Sequence, residues 1–462
     1  MDEFSTPTHH LWAHETFGDL SVGSRARTKR VVAMAALLAR RPGGTVTQVF
    51  ERSADREGAY RLLSSECVSA EALGDAMCDA TLRRCDGQPF VFVPVDGTSL
   101  KFTNRKGSRD VGSIGSRKMK AQGLLVQSAL AVAPDGTPLG LCEQRFWARK
   151  HRSRVKGRAK TEEKETQHFV DLLVSVQARF VANGQGVVPL FQCDRGYDCW
   201  PILQLSAQGV QMSVRAQYNR RLSDGPRGEK RYLIETLEGS AVHGHYNVEV
   251  AAGEGRTARL ARMSVRALRV GLVLKVGRRR REVVEMNAVL ATEERGPAKG
   301  KLRWMLLTTM PIGSMADIEQ VLCGYESRWR IEEFHRAWKS GGCNVEDSQL
   351  RSRGALMKWA TLHAAVATRA VHLAYLARSK PETPALEEFT ETELEAVRVL
   401  KSEHTKVRLG SSPTLSQVVV MIAELGGYTG KSSGGPPGPT VLARGLKEVA
   451  MAAKVLRILG RK

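Results

Sequence analysis

Two apolar runs decide the fold: Phe90-Val-Phe-Val-Pro-Val95, which precedes Asp96, and Gly186-Val-Val-Pro-Leu-Phe-Gln-Cys193, which precedes Asp194. Apolar runs of this length that are rich in Val and Phe predict buried strands. Each predicted strand therefore delivers a carboxylate at its carboxyl end.

The residues between these two runs predict a hairpin and a helix. Strands over 123–133 and 139–146 flank the turn Pro134-Asp-Gly-Thr-Pro138, in which Gly136 tolerates a positive φ. A helix is expected over 161–180. Three strands, a helix and another strand are the opening of an α/β fold with an RNase H-like mixed sheet, although the pattern leaves the strand order open.

The rest of the chain alternates between β-rich and helical patterns, and its 462 residues are enough for about three domains. Residues 216–310 read as β-rich, since Arg262-Met-Ser-Val-Arg-Ala267 alternates polar and apolar residues at period two. A helical segment capped by Ser314 and stopped by Gly341-Gly342 follows. A long apolar helix over 355–377 comes next, and the remainder is helical.

A carboxylate at the end of a buried strand is costly unless a cation lies beside it. Mg²⁺ suits such a position, because it prefers hard oxygen ligands and keeps water and phosphate in its shell. A third carboxylate beside Asp96 and Asp194 would complete a two-metal site for phosphoryl transfer. The alternative is that each aspartate is a surface or capping residue, as most acidic residues are.

A candidate for the third carboxylate lies in the helical segment Tyr325-Glu-Ser-Arg-Trp-Arg-Ile-Glu-Glu-Phe-His-Arg-Ala-Trp-Lys339. At 3.6 residues per turn, four polar residues share one face of this helix: Tyr325, Arg328, Glu332 and Lys339. One carboxylate, two cations and a tyrosine suit a metal ligand beside a DNA phosphate. The alternative is an ordinary amphipathic helix with i, i+4 salt bridges, which leaves the aromatic residues of the adjacent face unexplained.

The chain carries a large surplus of positive charge. Its 70 Lys and Arg against 48 Asp and Glu give a formal net charge of +22. A surplus of this size predicts a polyanionic partner, with nucleic acid first and an anionic membrane surface second. No uninterrupted apolar run approaches the ~20 residues that a spanning helix needs, which disfavours the membrane.

The eight cysteines are scattered and form no C-x-x-C pair, which indicates neither a disulfide framework nor a zinc site. The N-terminus is acidic and lacks the pattern of a secretory signal. These features predict reduced thiols in a cytoplasmic protein.

The first 73 residues read as short helices with many basic residues. Arg25, Arg27, Lys29 and Arg30 open an apolar helix that stops at Arg41-Pro-Gly-Gly44. This composition fits a module that binds DNA ends, with a solvated basic face as the alternative.

The segment from Tyr325 to Lys339 resembles the Y-(2)-R-(3)-E-(6)-K signature of the insertion-sequence-four family of bacterial DDE transposases. Further stretches that resemble this family recur in order along the chain: Gly58-Ala-Tyr-Arg61, Val68-Ser-Ala-Glu-Ala72, Asp96-x-Thr-Ser-Leu100, Cys193-Asp-Arg195, Asn287-Ala-Val-Leu-Ala291 and Trp304-x-Leu-Leu-Thr308. The resemblance covers most of the chain, to about residue 377.

The resemblance implies a retroviral-integrase-like catalytic core over 74–377, with a β-rich insertion at about 216–310. It implies an N-terminal helical DNA-binding domain over 1–73 and a helical dimerisation domain over 378–462. The tail after residue 380 is shorter than that of the family relative, so dimerisation through its last helix is the weaker part of the resemblance. Two positions also depart from the relative near the first aspartate: Gly97 stands for Thr, and Gln127 stands for His.

The resemblance also assigns roles to individual residues. Asp96, Asp194 and Glu332 become the catalytic metal ligands, and the motif selects Glu332 over the neighbouring Glu333, which points about 100° away around the helix. Trp304 becomes a platform for a flipped base, with a buried strand tryptophan as the alternative reading. The implied DNA contacts are Tyr325, Arg328, Lys339, Arg215, Arg27, Arg30 and Arg61.

The implied activity is cut-and-paste transposition through a DNA hairpin, with two Mg²⁺ ions per site, for which Mn²⁺ substitutes. The implied partners are double-stranded DNA, at the transposon ends and at the target, and a second copy of the chain in a synaptic complex. Two alternatives stay open: an RNase H-like nuclease without strand transfer, and a transposase-derived DNA-binding regulator without catalytic activity.

The charge surplus generates a first prediction. If the surplus serves DNA, affinity for duplex DNA falls steeply with salt, since each neutralised phosphate adds about −0.9 to the slope of log K against log salt. Titration of a fluorescent duplex between about 50 and 200 mM salt measures this slope. A nearly flat response would mean that the surplus serves another partner.

Overall fold

The computed structural model describes residues 8–103, 109–115, 120–149, 165–224, 229–250, 257–277, 280–297, 300–402, 409–430 and 435–460. All structural statements below concern these ranges. Residues 161–164, the first four of the helix expected over 161–180, lie outside them.

The described residues form fourteen α-helices: α1 (Thr8–Phe17), α2 (Arg25–Arg40), α3 (Val46–Val49), α4 (Ser53–Ser64), α5 (Ala70–Cys85), α6 (Glu165–Asn183), α7 (Trp200–Leu203), α8 (Leu233–Glu238), α9 (Met315–Ser327), α10 (Trp329–Lys339), α11 (Arg353–Ser379), α12 (Glu391–Lys401), α13 (Leu415–Leu425) and α14 (Pro439–Leu459).

They also form ten β-strands: β1 (Phe90–Lys101), β2 (Gly112–Ser113), β3 (Gln122–Val132), β4 (Pro138–Trp147), β5 (Val188–Cys193), β6 (Met212–Arg215), β7 (Gly244–Val250), β8 (Arg259–Val276), β9 (Arg280–Glu293) and β10 (Arg303–Thr308). The expected mixed α/β organisation is confirmed; the RNase H-like assignment and the domain boundaries at residues 73 and 377 stay predictions.

The chain divides into two compact units. The helical unit consists of Met1–Asp86, Gly97–Gly157 and Arg330–Lys462, and the sheet unit consists of Gly87–Asp96 and Arg158–Trp329. Strand β1 begins in the sheet unit and ends in the helical unit, because the division falls between Asp96 and Gly97.

The sheet unit is built on parallel strands that antiparallel strands extend. The first half of β1 pairs in parallel with β5, and β5 pairs in parallel with β6. Beyond β6 the order continues through β10, β9, β8 and β7, and each of these pairings is antiparallel. The residues at 216–310 that were predicted to be β-rich therefore supply the antiparallel part of a mixed sheet.

Strand β1 is longer than the sequence predicts. The apolar run ends at Val95, but the strand continues to Lys101, so the prediction of a strand end directly before Asp96 is wrong. The physical reason is a change of partner: pairing with β5 reaches only Val95, and further on the N–H of Phe102 donates to the carbonyl of Gln122, beside the start of β3. Asp96 therefore lies where one pairing ends.

In the helical unit, β3 and β4 form the predicted hairpin. Its turn has Gly136 at φ +85°, and the N–H of Thr137 donates to the Asp135 carboxylate at 2.9 Å. The hairpin packs against α5 and α11 through β4, and β3 is buried along almost its whole length, because a sheet face needs a packed layer over it.

The segment from Tyr325 to Lys339 is not one uninterrupted helix. Helix α9 begins at the predicted cap Ser314 with a capping box to Asp317 and ends at Ser327. The N–H of Arg328 bonds to the carbonyl of Tyr325, three residues back, which marks a tighter turn before α10. The prediction of one uninterrupted helix is therefore wrong at Arg328, although its φ of −55° and ψ of −30° stay helical.

The aromatic residues of this segment divide between core and surface. Phe334 and Trp338 are fully buried and stack at 5.6 Å, and the indole N–H of Trp338 donates to the carbonyl of Ala360. Trp329 is 57% exposed. Core packing thus accounts for two of the aromatic side chains that the sequence leaves unexplained.

The N-terminal helices are held on α11 by donors that reach backbone carbonyls. The buried ammonium of Lys358 donates to the carbonyls of Leu63 and Ser65 at 3.0 and 2.5 Å. Two ring N–H groups of the same helix reach the preceding loop: Trp359 bonds to Gly44 and His363 bonds to Gly43, both at 2.9 Å.

The last three helices pack around the end of α11. They bury a continuous apolar cluster that includes Leu394, Val418 and Leu442. The predicted last helix over 441–459 is confirmed as α14. No helix within the described ranges combines the length and the apolar composition that crossing a membrane requires.

Replacing the Lys358 ammonium tests the attachment of α4 to α11. Lys358→Met leaves two buried carbonyls without a donor, so we expect the free energy of opening α4 to fall by about 2 kcal/mol. Amide hydrogen exchange at α4 measures this directly. Lys447→Met, at an exposed position of α14, is the control; equal effects of the two variants would contradict the anchoring role.

Candidate active site and DNA-binding surface

Asp96 and Asp194 follow the last paired residues of two neighbouring parallel strands of the sheet unit. The last paired residues of β1 and β5 are Val95 and Cys193, in parallel register. The residues that follow, Asp96 and Asp194, are therefore neighbours across a strand spacing of about 4.8 Å. Both are half-buried, so the sheet brings two carboxylates together at one edge, as the sequence predicts.

Asp194 is oriented by the turn that follows β5. Its Oδ1 accepts a hydrogen bond from the N–H of Gly196 at 2.8 Å and caps a short 3₁₀ helix, Arg195–Tyr197. Such a cap fixes the carboxylate because a helix N-terminus presents unpaired N–H groups.

Arg328 supplies a cation beside the first aspartate. Its Nη1 lies 3.9 Å from Oδ2 of Asp96, and its side chain is only 10% exposed. The tighter turn between α9 and α10 carries this residue. A largely buried guanidinium beside a carboxylate pair offsets part of the repulsion between the like charges.

Buried uncharged groups lie behind the carboxylates. Tyr197 is 2% exposed and stacks on Phe169 at 4.9 Å. Burial raises the pKa of the Tyr197 phenol, and the charges of Cys193, Asp96 and Asp194 raise it further. Burial likewise raises the pKa of the Cys193 thiol well above its ordinary value, with Asp194 adding to it. Both groups therefore stay protonated at neutral pH.

A second cluster of predicted residues forms in the same unit. The rings of Trp304 and Tyr325 meet edge to face at 6.1 Å, and the guanidinium of Arg215 lies 6.0 Å from the Tyr325 ring centroid. Arg215 also donates to the carbonyl of Arg303 at 3.2 Å. Trp304 is the second residue of β10 and is half-buried, so part of its ring surface remains accessible.

The remaining predicted residues of the signature belong to the helical unit. Glu332 is half-buried on α10. The neighbouring Glu333 accepts a hydrogen bond from the Tyr375 hydroxyl at 2.6 Å, and burial, with the Glu333 charge, raises the pKa of Tyr375 to about 12. Glu333 is thus committed to a structural contact, which agrees with the choice of Glu332.

Lys339 ties α10 to the second half of β1. Its Nζ donates to Oγ1 of Thr98 at 3.4 Å and lies 3.8 Å from Oε1 of Glu346. The same Glu346 oxygen accepts from the N–H of Lys101 at 2.7 Å. The Lys339 ammonium is therefore held against the second half of β1, at Thr98.

The three predicted contacts of the N-terminal helices differ in how they are held. Arg27 donates to the carbonyl of Val22 at 3.3 Å. Arg61 forms an ion pair with Glu57, one turn earlier on α4. Arg30 makes no hydrogen bond or ion pair within the described ranges and is exposed.

Sequence reasoning missed one ion pair that shapes this region. The Asp198 carboxylate is fully buried and accepts hydrogen bonds from Arg220 at 2.5 and 3.0 Å. It also accepts from the N–H groups of Gln217 and Tyr218 at 2.7 and 3.1 Å. The pair thereby fixes the segment that follows Arg215. The sequence gives one signal for this pair: Asp198 follows Asp194 by four residues.

Gly97 lies against the buried side chain of Gln127. A side chain at position 97 would place its Cβ 2.8 Å from Oε1 of Gln127. Gln127 is fully buried, and its amide has no hydrogen-bond partner among the described residues. A larger residue at position 97 would therefore press on the Gln127 amide.

A comparison with protein families identifies the N-terminal helices. Residues 9–68 match the family model described as transposase DNA-binding. The chain thus carries a transposase DNA-binding domain over α1–α4, and DNA is a partner. The match agrees with the prediction of a DNA-binding module over residues 1–73. Within the described ranges, no three His, Cys, Asp or Glu side chains form a group that could hold a metal ion.

His335, between Glu332 and Lys339 on α10, generates a prediction on pH. Burial, with the Lys339 charge, lowers its pKa to about 3. Between that value and the ordinary pKa near 6.5, the unfolded chain binds a proton that the folded chain does not. Stability therefore falls as pH decreases through this window, by at most about 1.4 kcal/mol per pH unit.

Denaturant unfolding at several pH values measures this slope. His335→Gln flattens it in part, because burial also lowers the pKa of His372, to about 4. His14→Gln, at an exposed position, leaves the slope unchanged. An unaltered slope in His335→Gln would contradict a neutral, buried His335.

Proposed function

We propose that this protein is a cut-and-paste DNA transposase of the insertion-sequence-four type, with an RNase H-like catalytic core. One combination carries the proposal: the chain joins a transposase DNA-binding domain to two aspartates that follow the last paired residues of neighbouring parallel strands. A DNA-binding domain alone needs no such carboxylate pair, and a carboxylate pair is costly without a cation.

Asp96, Asp194 and Glu332 would hold the divalent ions, two Mg²⁺ per site with Mn²⁺ as a substitute. The two aspartates suit such ions, because carboxylates on neighbouring strands offer the hard oxygen ligands that Mg²⁺ prefers. When bound, the ions supply charge for activating water and stabilising the leaving oxygen in phosphoryl transfer.

The protein's own groups position DNA around this centre. Arg328 neutralises Asp96 in the free protein and is placed to turn to a phosphate when DNA binds. Lys339, whose bond to Thr98 is long at 3.4 Å, offers a second cation. Trp304, whose ring meets that of Tyr325 edge to face, offers an aromatic surface on which an unstacked base would gain part of the energy that unstacking costs.

The proposed reaction is a series of phosphoryl transfers at each transposon end. Water first nicks one strand and leaves a 3′-OH, which attacks the opposite strand to form a hairpin. A second water opens the hairpin, and the 3′-OH then attacks target DNA. In each step either water hydrolyses a phosphodiester bond or a 3′-OH replaces the leaving oxygen to form a new one. The protein therefore supplies positioning and charge rather than a covalent nucleophile.

Transposition of two ends calls for two copies of the chain. The end of α14 offers an apolar surface, with Val455, Ile458 and Leu459 exposed by 54%, 58% and 60%. Exposed apolar side chains in one patch favour association with a partner. We therefore include a homodimer in the proposed synaptic complex.

Asp194→Asn tests the catalytic assignment. A labelled duplex that carries the sequence bordering the gene is incubated with protein and Mg²⁺, and nicked, hairpin and joined products are separated. Loss of a ligand should reduce cleavage by at least about a hundredfold while DNA binding persists, since even an outer partner of a metal site is worth 10–100-fold.

Asp75→Asn, at an exposed position of α5, is the matched control and should cleave like the wild type. Equal cleavage by Asp194→Asn would refute the site. Cleavage without joined product would indicate a nuclease, and DNA binding without cleavage by the wild type would indicate a regulator.

A further inference from the structure

Lys339, at the end of α10, lies beside a carboxylate that is itself bonded to strand β1. Oε1 of Glu346 accepts a hydrogen bond from the N–H of Lys101 at 2.7 Å, and the same oxygen lies 3.8 Å from Nζ of Lys339. All three residues belong to the helical unit. One carboxylate oxygen thus joins the end of α10 to the end of β1.

The Lys339 ammonium is held without being saturated. It has three N–H donors, and within the described ranges its polar contacts are the long bond to Thr98, at 3.4 Å, and the ion pair with Glu346. A carboxylate at 3.8 Å attracts the ammonium without occupying a donor, because that distance exceeds a hydrogen bond. The lysine side chain is 27% exposed, so a DNA phosphate can reach the remaining donors.

A short 3₁₀ turn, Val345–Asp347, carries Glu346 and packs against α11. Val345 is fully buried, and the thiol of the buried Cys343 donates to the carbonyl of His363 on α11 at 3.6 Å. This packing fixes the backbone from which the Glu346 side chain extends.

The transposase DNA-binding domain also rests on this turn. Gly44, in the loop between α2 and α3, leaves no room for a side chain: a Cβ there would lie 2.2 Å from the carbonyl oxygen of Asn344 and 2.6 Å from Cβ of Asp347. The ring N–H groups of α11 that bond to Gly43 and Gly44 hold the loop in that position. The domain is therefore packed directly on the turn that carries the partner of Lys339.

We propose that Glu346 is a positioning residue that holds the Lys339 ammonium beside β1 for a DNA phosphate, and that the loop at Gly44 keeps the turn of Glu346 in place. The inference rests on the proposed function, in which Lys339 contacts DNA. It goes beyond it by assigning the group that orders this lysine before DNA arrives and by linking that group to the DNA-binding domain. An ammonium ordered in advance loses less side-chain freedom when the phosphate binds.

Glu346→Gln tests the positioning role in the full-length protein. The amide oxygen still accepts from the N–H of Lys101, but no charge remains to hold Lys339. On the labelled duplex with the sequence bordering the gene, we expect the single-turnover cleavage rate with Mg²⁺ at saturating protein to fall by about ten- to a hundredfold. The dissociation constant should not rise, because the variant removes a negative charge beside the DNA.

Two comparisons separate positioning from charge and from folding. Asp347→Asn removes the same charge from an exposed position of the same turn and should cleave like the wild type. In a Lys339→Met background, Glu346→Gln should slow cleavage no further, because a positioning residue acts only through the group that it holds. A purely structural role would leave the loss undiminished in that background.

Gly44→Ala tests the contact with the DNA-binding domain. The added methyl group displaces the carbonyl of Asn344, so cleavage should slow as in Glu346→Gln, with no further loss when the two changes are combined. Gly74→Ala adds a methyl group to α5 where no atom lies within 4 Å and should cleave at the wild-type rate. Wild-type cleavage by Gly44→Ala would exclude the loop from the positioning of Glu346.

Other outcomes overturn the positioning role itself. An unchanged rate in Glu346→Gln, an equal loss in Asp347→Asn, or an undiminished loss beside Lys339→Met would each contradict it. Loss of the cooperative thermal transition in Glu346→Gln would likewise assign Glu346 to folding. Failure of the wild type to cleave the duplex would instead refute the proposed function.

Discussion

The register between β1 and β5 is the constraint on which the candidate site depends. Parallel pairing that ends at Val95 and Cys193 leaves two aspartates as neighbours, and like charges at that spacing repel unless cations lie close by. Arg328 lies 3.9 Å from the first, and a helix-capping bond orients the second. A shift of one residue in this register would turn one aspartate to the opposite face of the sheet and abolish the pair.

Each unit fixes its own predicted residues by a different set of contacts. In the sheet unit, antiparallel strands extend the parallel ones and carry Trp304 next to Tyr325, while the buried Asp198–Arg220 pair fixes the segment after Arg215. In the helical unit, Lys358 and its neighbours on α11 bind the N-terminal helices through their backbone carbonyls. The sheet unit thus positions the two aspartates, and the transposase DNA-binding domain is held by a long buried helix of the helical unit.

Much of this could be read from the sequence, because period-two and apolar patterns report burial directly. The hairpin, the second buried strand, the Ser314 cap and the basic first helices lie where they were predicted. The length of β1 could not be read, since its second half exchanges one partner strand for another and loses its apolar pattern. Nor could the turn at Arg328, or the Asp198–Arg220 pair, which joins residues 22 positions apart in the sequence. Glu332 was selected by resemblance alone.

The central claim is that the two strand-end aspartates, with Glu332, hold a divalent ion. The most direct test of this claim replaces Mg²⁺ by Fe²⁺ in the protein–DNA complex. Ascorbate and peroxide then generate hydroxyl radicals at the bound Fe²⁺, and these radicals cut the polypeptide backbone next to the ion. The account predicts cuts close to Asp96, Asp194 and Glu332 that excess Mg²⁺ suppresses. Cuts elsewhere, with none beside the two aspartates, would contradict it.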